Sequence, residues 1–343
     1  MSKIKGKSVV KKALKIILCV FLSLCIIAVG IFGYTAIFKT KYEKADNTVQ
    51  KVLQITDVHI VNNDKKDAKA FKTIRLMIEK TQPDIIVVTG DITSEKDNLT
   101  AIKKFGEFIE KFNIPWAFTY GNHDAEGDVG KDEIDEYLLS LDNCVYERGD
   151  PNVDGHGNYY RNVTDENGNV IMSLIMIDSN MYNADKTIGG YDYIHENQIE
   201  WYKNTVKSIA KEVNGDEQKT VPSLCFFHIP MQEYKTAYDG AGTRVSGKRF
   251  EQEYCSKTSD NMFETMKELG STKGVFVGHD HMNDYMVEYQ GIRLCYAKSS
   301  DHNIYVVPLR GGTLINIKND GTFTTQTLFR HRGTGFVCVG KEK

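Results

Sequence analysis

Several short apolar runs, each ending abruptly in a histidine, an aspartate or both, constrain this chain more than any other feature. "KVLQIT" runs into Asp57 and His59, "DIIVVTG" into Asp91, and "IPWAFTY" into Asn122, His123 and Asp124. Farther along, "VPSLCFF" runs into His228 and "KGVFVG" into His279 and His281. Runs of this length, bounded by glycine and polar residues, read as buried strands. Between the first three lie helical stripes: Phe71, Ile74 and Ile78, then Ile102, Phe105 and Ile109 within a predicted helix from about Leu99 to Phe112. Strand, helix, strand, helix, strand is the pattern of a parallel α/β sheet. Open sheets of that kind place their binding crevice just past the carboxyl ends of the strands, where all of these polar residues fall.

The remaining chain continues the pattern and then changes it. "VIMSLIMIDS" reads as a strand and "ENQIEWYKNTVKSIAKEV" as a helix. From Asp284 onward short strands ("YMVEY", "IRLCYA", "TLINI", "TFTTQTL") alternate with turns at Gly291, Gly311-Gly312 and Asp320-Gly321. With no internal repeat, residues 51–343 read as one α/β domain whose second half contributes antiparallel strands. Residues 231–260 lack a clear period and read first as a solvated surface insertion. The competing reading makes Tyr234, Tyr238, Arg244, Lys248, Arg249 and Tyr254 a substrate-facing set.

The N-terminus differs in kind. Lys3, Lys5, Lys7, Lys11, Lys12 and Lys15 precede an uncharged run over 16–38, long enough to cross a bilayer. A cleaved signal peptide would carry a shorter apolar part and a small-residue cleavage site, for which Ala28-Val29-Gly30 is a weak candidate. Leu24 is too bulky to precede a lipid-modified Cys25. Fewer lysines follow the span (Lys39, Lys41, Lys44) than precede it, so residues 1–15 are expected in the cytoplasm. A linker over 39–50 then leads to a domain outside the cell membrane. The five cysteines beyond the span, Cys144, Cys225, Cys255, Cys295 and Cys338, are odd in number and form no C-x-x-C pair. Neither a disulfide framework nor a thiolate zinc site is signalled, and Cys225 and Cys295 read as core residues. A net charge of -3 offers no basic footprint, so nucleic acid is not an expected partner.

Each polar fragment at a strand end is weak when taken singly, since Asp57-x-His59 alone would pass for a turn and His228 alone for a core histidine. Together they bring carboxylates, imidazoles and an amide to one place. Burying such a cluster without partners would cost several kcal/mol, whereas divalent cations would satisfy it. Oxygen and nitrogen donors without thiolate suit manganese, iron or zinc. Outside this set, Asp178 reads as a turn or helix cap, Asp284 as a turn or a support for the ligands, and His302 as a loop residue.

The ordered blocks D-x-H, G-D, G-N-H-D, H and G-H-x-H resemble those of the calcineurin-like metallophosphoesterase superfamily. That resemblance implies a sandwich of two mixed β-sheets flanked by helices and a centre of two divalent or mixed-valence metal ions. It implies that Asp57, His59 and His281 hold one metal, that Asn122, His228 and His279 hold the other, and that Asp91 bridges them. His123 would then stabilise or protonate the leaving oxygen, with Asp124 orienting its imidazole. Two cations less two carboxylates and a bridging hydroxide leave a positive site that attracts a phosphate ester, and the hydroxide would attack phosphorus in line. Purple acid phosphatases carry a tyrosine where Ser94 stands, and protein serine/threonine phosphatases show G-D-x-x-D-R-G where this chain has "GDITSEK". "GGYDYIHENQIEWY" and "GHDHMND" look more like the purple-acid-phosphatase-like branch that lacks the tyrosine. A membrane-anchored phosphoesterase favouring monoesters is therefore expected. Phosphodiester or nucleotide hydrolysis is the alternative on the same site, and a metal-bound surface binding protein without turnover is the rival from another class.

Overall fold

The computed structural model describes residues 47–241, 245–304, 309–331 and 337–339. The expected membrane span over 16–38 and the basic leader before it lie outside them. Among the described residues, no helix is long and apolar enough to cross a membrane.

β1 (Thr48–Ile55), β2 (Ile85–Thr89) and β3 (Trp116–Thr119) pair in parallel, as the alternating pattern predicts. Between them run α1 (Asp64–Thr81) and α2 (Asn98–Ile109), the latter extended by a 3-10 turn over Glu110–Phe112. Each helix begins on a capping side chain. Asn63 accepts from Lys66 N and Asp97 accepts from Thr100 N, satisfying amides that would otherwise lack partners. The apolar stripes land where the period puts them: Ile74, Met77 and Ile78 of α1 and Ile102, Phe105 and Ile109 of α2 are buried. Phe105 meets Trp116 of β3 edge to face at 5.9 Å, and Phe71 stacks on Phe108 at 4.4 Å.

α3 (Lys131–Leu139), β4 (Tyr159–Thr164), β5 (Val170–Met176) and α4 (Glu196–Asn214) follow. The chain then passes through β6 (Ser223–Phe226), α5 (Glu233–Ala241), β7 (Val245–Ser246), α6 (Met262–Leu269) and β8 (Thr272–Val277). It closes with β9 (Met286–Tyr289), β10 (Ile292–Tyr296), β11 (Leu309–Lys318), β12 (Phe323–His331) and β13 (Val337–Val339). The late strands do not extend a single sheet. β11 to β13 return antiparallel beside β1, giving a sheet of order β13-β12-β11-β1-β2-β3. The others form a second sheet, β4-β5-β6-β8-β10-β9-β7, with a parallel centre and antiparallel edges. Both sheets are mixed.

Strand alternation sorts side chains into layers. Phe226 and Phe276 stack at 5.1 Å, and Phe276 meets Phe323 of the other sheet edge to face at 6.0 Å. The Gln54 amide of β1 donates to Val277 O of β8 at 3.2 Å, tying the sheets together. The alternate residues Cys225, Phe227, Val275 and Val277 face the opposite way, into a core with Tyr202 of α4, Tyr234 of α5 and Phe263 of α6. Cys225 is buried in that core, and Cys295, paired with Phe276, is buried on the opposite face; both are core residues, as expected. Tyr234 corrects the reading of residues 231–260. It is fully buried, and its hydroxyl donates to Val275 O at 3.0 Å, so it meets neither solvent nor substrate.

Phe276→Ala would open a cavity between the sheets. A loss of about 3–5 kcal/mol is expected, read as a lowered denaturant midpoint at unchanged m-value.

Candidate metal centre

The strand exits that carry the polar residues are held in an uncommon backbone form. Asp57, His59, Asp91 and His279 have φ of 49°, 48°, 53° and 74°. Left-handed backbone at a residue other than glycine costs on the order of 1–3 kcal/mol and persists only where the surroundings over-determine it. Those surroundings are visible. Asp57 N donates to Gly90 O at 3.1 Å, Val58 N to Asp91 O at 2.9 Å and Ile60 N to Ile92 O at 2.7 Å, so the exits of β1 and β2 stay paired past the strands. The Asp124 carboxylate accepts from Asp91 N (2.9 Å), Ile92 N (2.7 Å) and Gly121 N (2.8 Å), knitting the exit of β3 to that of β2. A Cβ at Gly121 would land on the Asp91 carboxylate, which is why this approach needs glycine.

Two ligand groups result, and they share one residue. Asp57, His59, Asp91 and His281 form the first, and Asp91, His228 and His279 the second. In the first, His59 Nε2 lies 3.0 Å from His281 Nε2 and 3.8 Å from Asp91 Oδ2, and His281 Nε2 lies 3.3 Å from Asp57 Oδ1. In the second, His228 Nε2 lies 3.1 Å from Asp91 Oδ2 and 3.3 Å from His279 Nδ1. His228 Nδ1 is within 2.7 Å of Thr89 O, which makes it the protonated nitrogen and turns the Nε2 lone pair inward. Asn122 Nδ2 donates to the Tyr182 hydroxyl at 3.2 Å. Among the described residues, Asn122 Oδ1 and His279 Nε2 are buried without a hydrogen-bond partner. A buried amide oxygen and a buried ring nitrogen in that state, beside two buried carboxylates and imidazoles that crowd one another, fit a pair of cations. The expected ligand residues are thus brought together, with Asp91 common to both halves.

Charge is divided unevenly without cations. Burial would raise Asp57 and Asp91, yet the neighbouring imidazoles His281 and His228 outweigh it and hold both carboxyls below their usual range. Burial opposes charge on His228, but the Asp91 carboxylate lifts it to about 10, and Asp57 likewise raises His281. Burial and the charge of His281 push His59 to about 4, while burial and the charge of His228 push His279 to about 3. The carboxylates thus favour positive charge on one histidine in each half, His228 and His281.

His123 lies in the mouth of the site, its side chain 32% exposed and its ring edge to face with His59 at 5.7 Å. Its backbone N donates to Asp91 Oδ1 at 2.9 Å. Asp124 does not orient its imidazole, contrary to the expectation. The Asp124 carboxylate is spent on backbone amides, and burial together with the charge of Asp91 lifts it to about 6. The ring nitrogen Nδ1 of His123 is instead paired with Glu126. Glu126 stood in the sequence three residues on, a spacing typical of a tight turn; nothing local marked Tyr182, 60 residues from Asn122.

The residues set apart in the sequence stay apart here. Asp178 is buried and pairs with Lys131 and His156 N. Asp284 accepts from Lys248 N at 2.8 Å, and His302 contacts Thr73 at 2.9 Å. Of the surface set, Arg249 pairs with Asp239 and packs on Tyr238, Lys248 and Tyr254 are exposed, and Arg244 lies outside the described residues. A third acidic group, Asp132, Asp135 and His156, is already satisfied by Arg148 and by the hydroxyls of Tyr120 and Tyr146.

A family model described as calcineurin-like phosphoesterase matches residues 50–283. The chain belongs to that family. Relatives of this calcineurin-like phosphoesterase include a protein of Arabidopsis thaliana named probable inactive purple acid phosphatase 29. The two are 28% identical over 316 residues, covering 83% of this chain and 80% of the relative. Phosphatase DCR2 of Saccharomyces cerevisiae is 27% identical over 288 residues, covering 75% of this chain and 49% of the relative. The fold is similar to that of a dimetal phosphatase from Danio rerio, with a TM-score of 0.55 at 10% identity, covering 85% of this chain and 98% of that one.

Because the proton that Asp91 favours on His228 must leave before a cation binds there, loading at pH 7 is expected to release protons, roughly one per chain. Titration calorimetry in buffers of different ionisation enthalpy would count them. The release should shrink as pH rises through about 10, where His228 gives up its proton. Loading without proton release at pH 7 would contradict this charge arrangement.

Proposed function

We propose that this protein is a metal-dependent phosphoesterase that hydrolyses phosphate esters, with phosphomonoesters favoured over diesters and nucleotides. The observation that carries this is the pair of ligand groups meeting on Asp91, beside an uncommitted Asn122 carbonyl oxygen and a partly exposed His123. Asp57, His59 and His281 would hold one cation and Asn122, His228 and His279 the other, with Asp91 touching both. Bound there, manganese, iron or zinc ions would supply a nucleophilic hydroxide near neutral pH and Lewis-acid polarisation of the phosphoryl group. The chain's own contribution is placement. Asp91 is fixed by Asp124 through the backbone, His228 is held in one tautomer by Thr89 O, and His123 stands where a leaving oxygen can take its proton. A site left with surplus positive charge favours a dianionic monoester over a monoanionic diester.

A second reading, a metal-bound surface binding protein without turnover, draws on relatives whose names include "probable inactive". The two readings separate in one assay. The full chain should hydrolyse p-nitrophenyl phosphate when loaded with manganese and lose the activity on chelation, and Asp91→Asn should reduce kcat/KM by at least about a hundredfold. Turnover that survives both treatments contradicts the proposal, and absence of turnover with both metal positions filled favours the binding protein.

The lysine-flanked apolar run over 16–38 supports an anchored protein with its N-terminus in the cytoplasm and its catalytic domain outside. Protease added to intact cells should then remove the domain. Full protection in intact cells, with cleavage after lysis, would rule out that orientation.

A further inference from the structure

The residue expected to orient His123 is engaged elsewhere, and another carboxylate has taken the position. Both Asp124 oxygens accept backbone N–H groups from the exits of β2 and β3. His123 Nδ1 pairs with Glu126 across a turn closed by Glu126 N donating to His123 O at 3.1 Å. Burial and the nearby Glu126 carboxylate both raise the Tyr182 hydroxyl above its usual range, which places that hydroxyl beside Glu126. The same hydroxyl accepts from Asn122 Nδ2 at 3.2 Å, which leaves Asn122 Oδ1 as that amide's only remaining donor atom for a cation.

Tyr182 is placed by a small hairpin that belongs to neither sheet. Tyr182 and Tyr191 form an antiparallel bridge, Asn183 N donates to Gly190 O at 3.0 Å, and the two tyrosine rings stack at 5.7 Å. Tyr191 also meets the His279 ring edge to face at 4.3 Å. The hairpin therefore touches the second ligand group at both Asn122 and His279, while its hydroxyl reaches round to Glu126.

We infer that Glu126 is the positioning residue for His123, with the Tyr182 hydroxyl beside it linking it to the ligand Asn122. This rests on the phosphoesterase reading for its chemistry. With Nδ1–H held by the carboxylate, Nε2 is the ring nitrogen left to serve the leaving group. When the bond from phosphorus to the leaving oxygen breaks, its electron pair goes to that oxygen, which takes the Nε2 proton. The imidazole is left neutral with Nδ1–H still on Glu126, solvent later returns a proton to Nε2, and water supplies the oxygen gained by phosphate. Glu126 fixes the ring orientation and keeps it in the productive tautomer.

A group that acts on the leaving oxygen matters most when that oxygen is a poor leaving group. Glu126→Gln is expected to lower kcat about a hundredfold on an alkyl phosphate and about tenfold or less on p-nitrophenyl phosphate, at unchanged metal content. Glu126→Asp should recover part of the alkyl activity, and Tyr182→Phe should lose alkyl activity in the same selective way to a smaller degree. Equal losses on both esters would mean Glu126 serves the fold or the metals, and no loss on either would remove it from the reaction; each outcome overturns the inference while leaving the phosphoesterase reading intact. If the wild-type chain hydrolyses no ester, that reading fails, and imidazole 15N spectra of the zinc-loaded full chain decide the positioning alone. The His123 signal, identified by its loss in His123→Gln, should show a protonated Nδ1 with a strongly downfield proton that moves upfield in Glu126→Gln. An unmoved signal would overturn the pairing.

Discussion

A single buried carboxylate between opposed imidazoles sets the terms for the rest of this molecule. Asp91 lies 3.1 Å from His228 and 3.8 Å from His59, and the groups that include it hold two further histidines and a second aspartate. Imidazoles face one another on both sides of it, and the buried Nδ1 of His59 and Nε2 of His279 lack hydrogen-bond partners among the described residues. The Asp91 carboxylate outweighs burial and favours a proton on His228, while burial disfavours charge on His59 and His279. Divalent ions would meet the same carboxylates at higher charge density.

The scaffold makes this crowding possible by giving up backbone comfort at the strand ends. Four of the ligand-group residues adopt left-handed backbone, and the hydrogen bonds that keep β1, β2 and β3 in register past their last residues hold them there. Asp124 is central to that restraint. The carboxylate next to His123 serves as a bracket for the chain, and the more remote Glu126 takes the histidine itself.

Much of this was readable in the sequence, for physical reasons. Ligands that directly follow a buried strand inherit its position, so Asp57, His59, Asp91, Asn122, His228, His279 and His281 announced themselves by what preceded them. The helices with long stripes, α1, α2 and α4, were equally clear. Short elements were not: α5 has nine residues, a Gly240 near its end and an apolar stripe of only Tyr234, Ala237 and Ala241, too little for a period to emerge. Tyr234 was accordingly weighed as a surface residue. The split into two sheets was implied by family resemblance alone, because local pattern does not say which strands pair. The Asp124 error is more instructive, since adjacency in sequence suggested a contact that turn geometry gives to the residue three positions on. Tyr182 carries no local mark because its role depends on a hairpin folding across a distance that only tertiary structure closes.

The two sheets supply the ligands jointly: β1, β2 and β3 lead to Asp57, His59, Asp91 and Asn122, while β6 and β8 lead to His228, His279 and His281. His279 N donates to Asp57, 222 positions earlier in the chain. During synthesis, neither half of the centre is complete until the chain has been made as far as the loop after β8. A partially emerged polypeptide therefore has no finished place to trap a metal ion. Maturation becomes an event of the late chain, timed by topology.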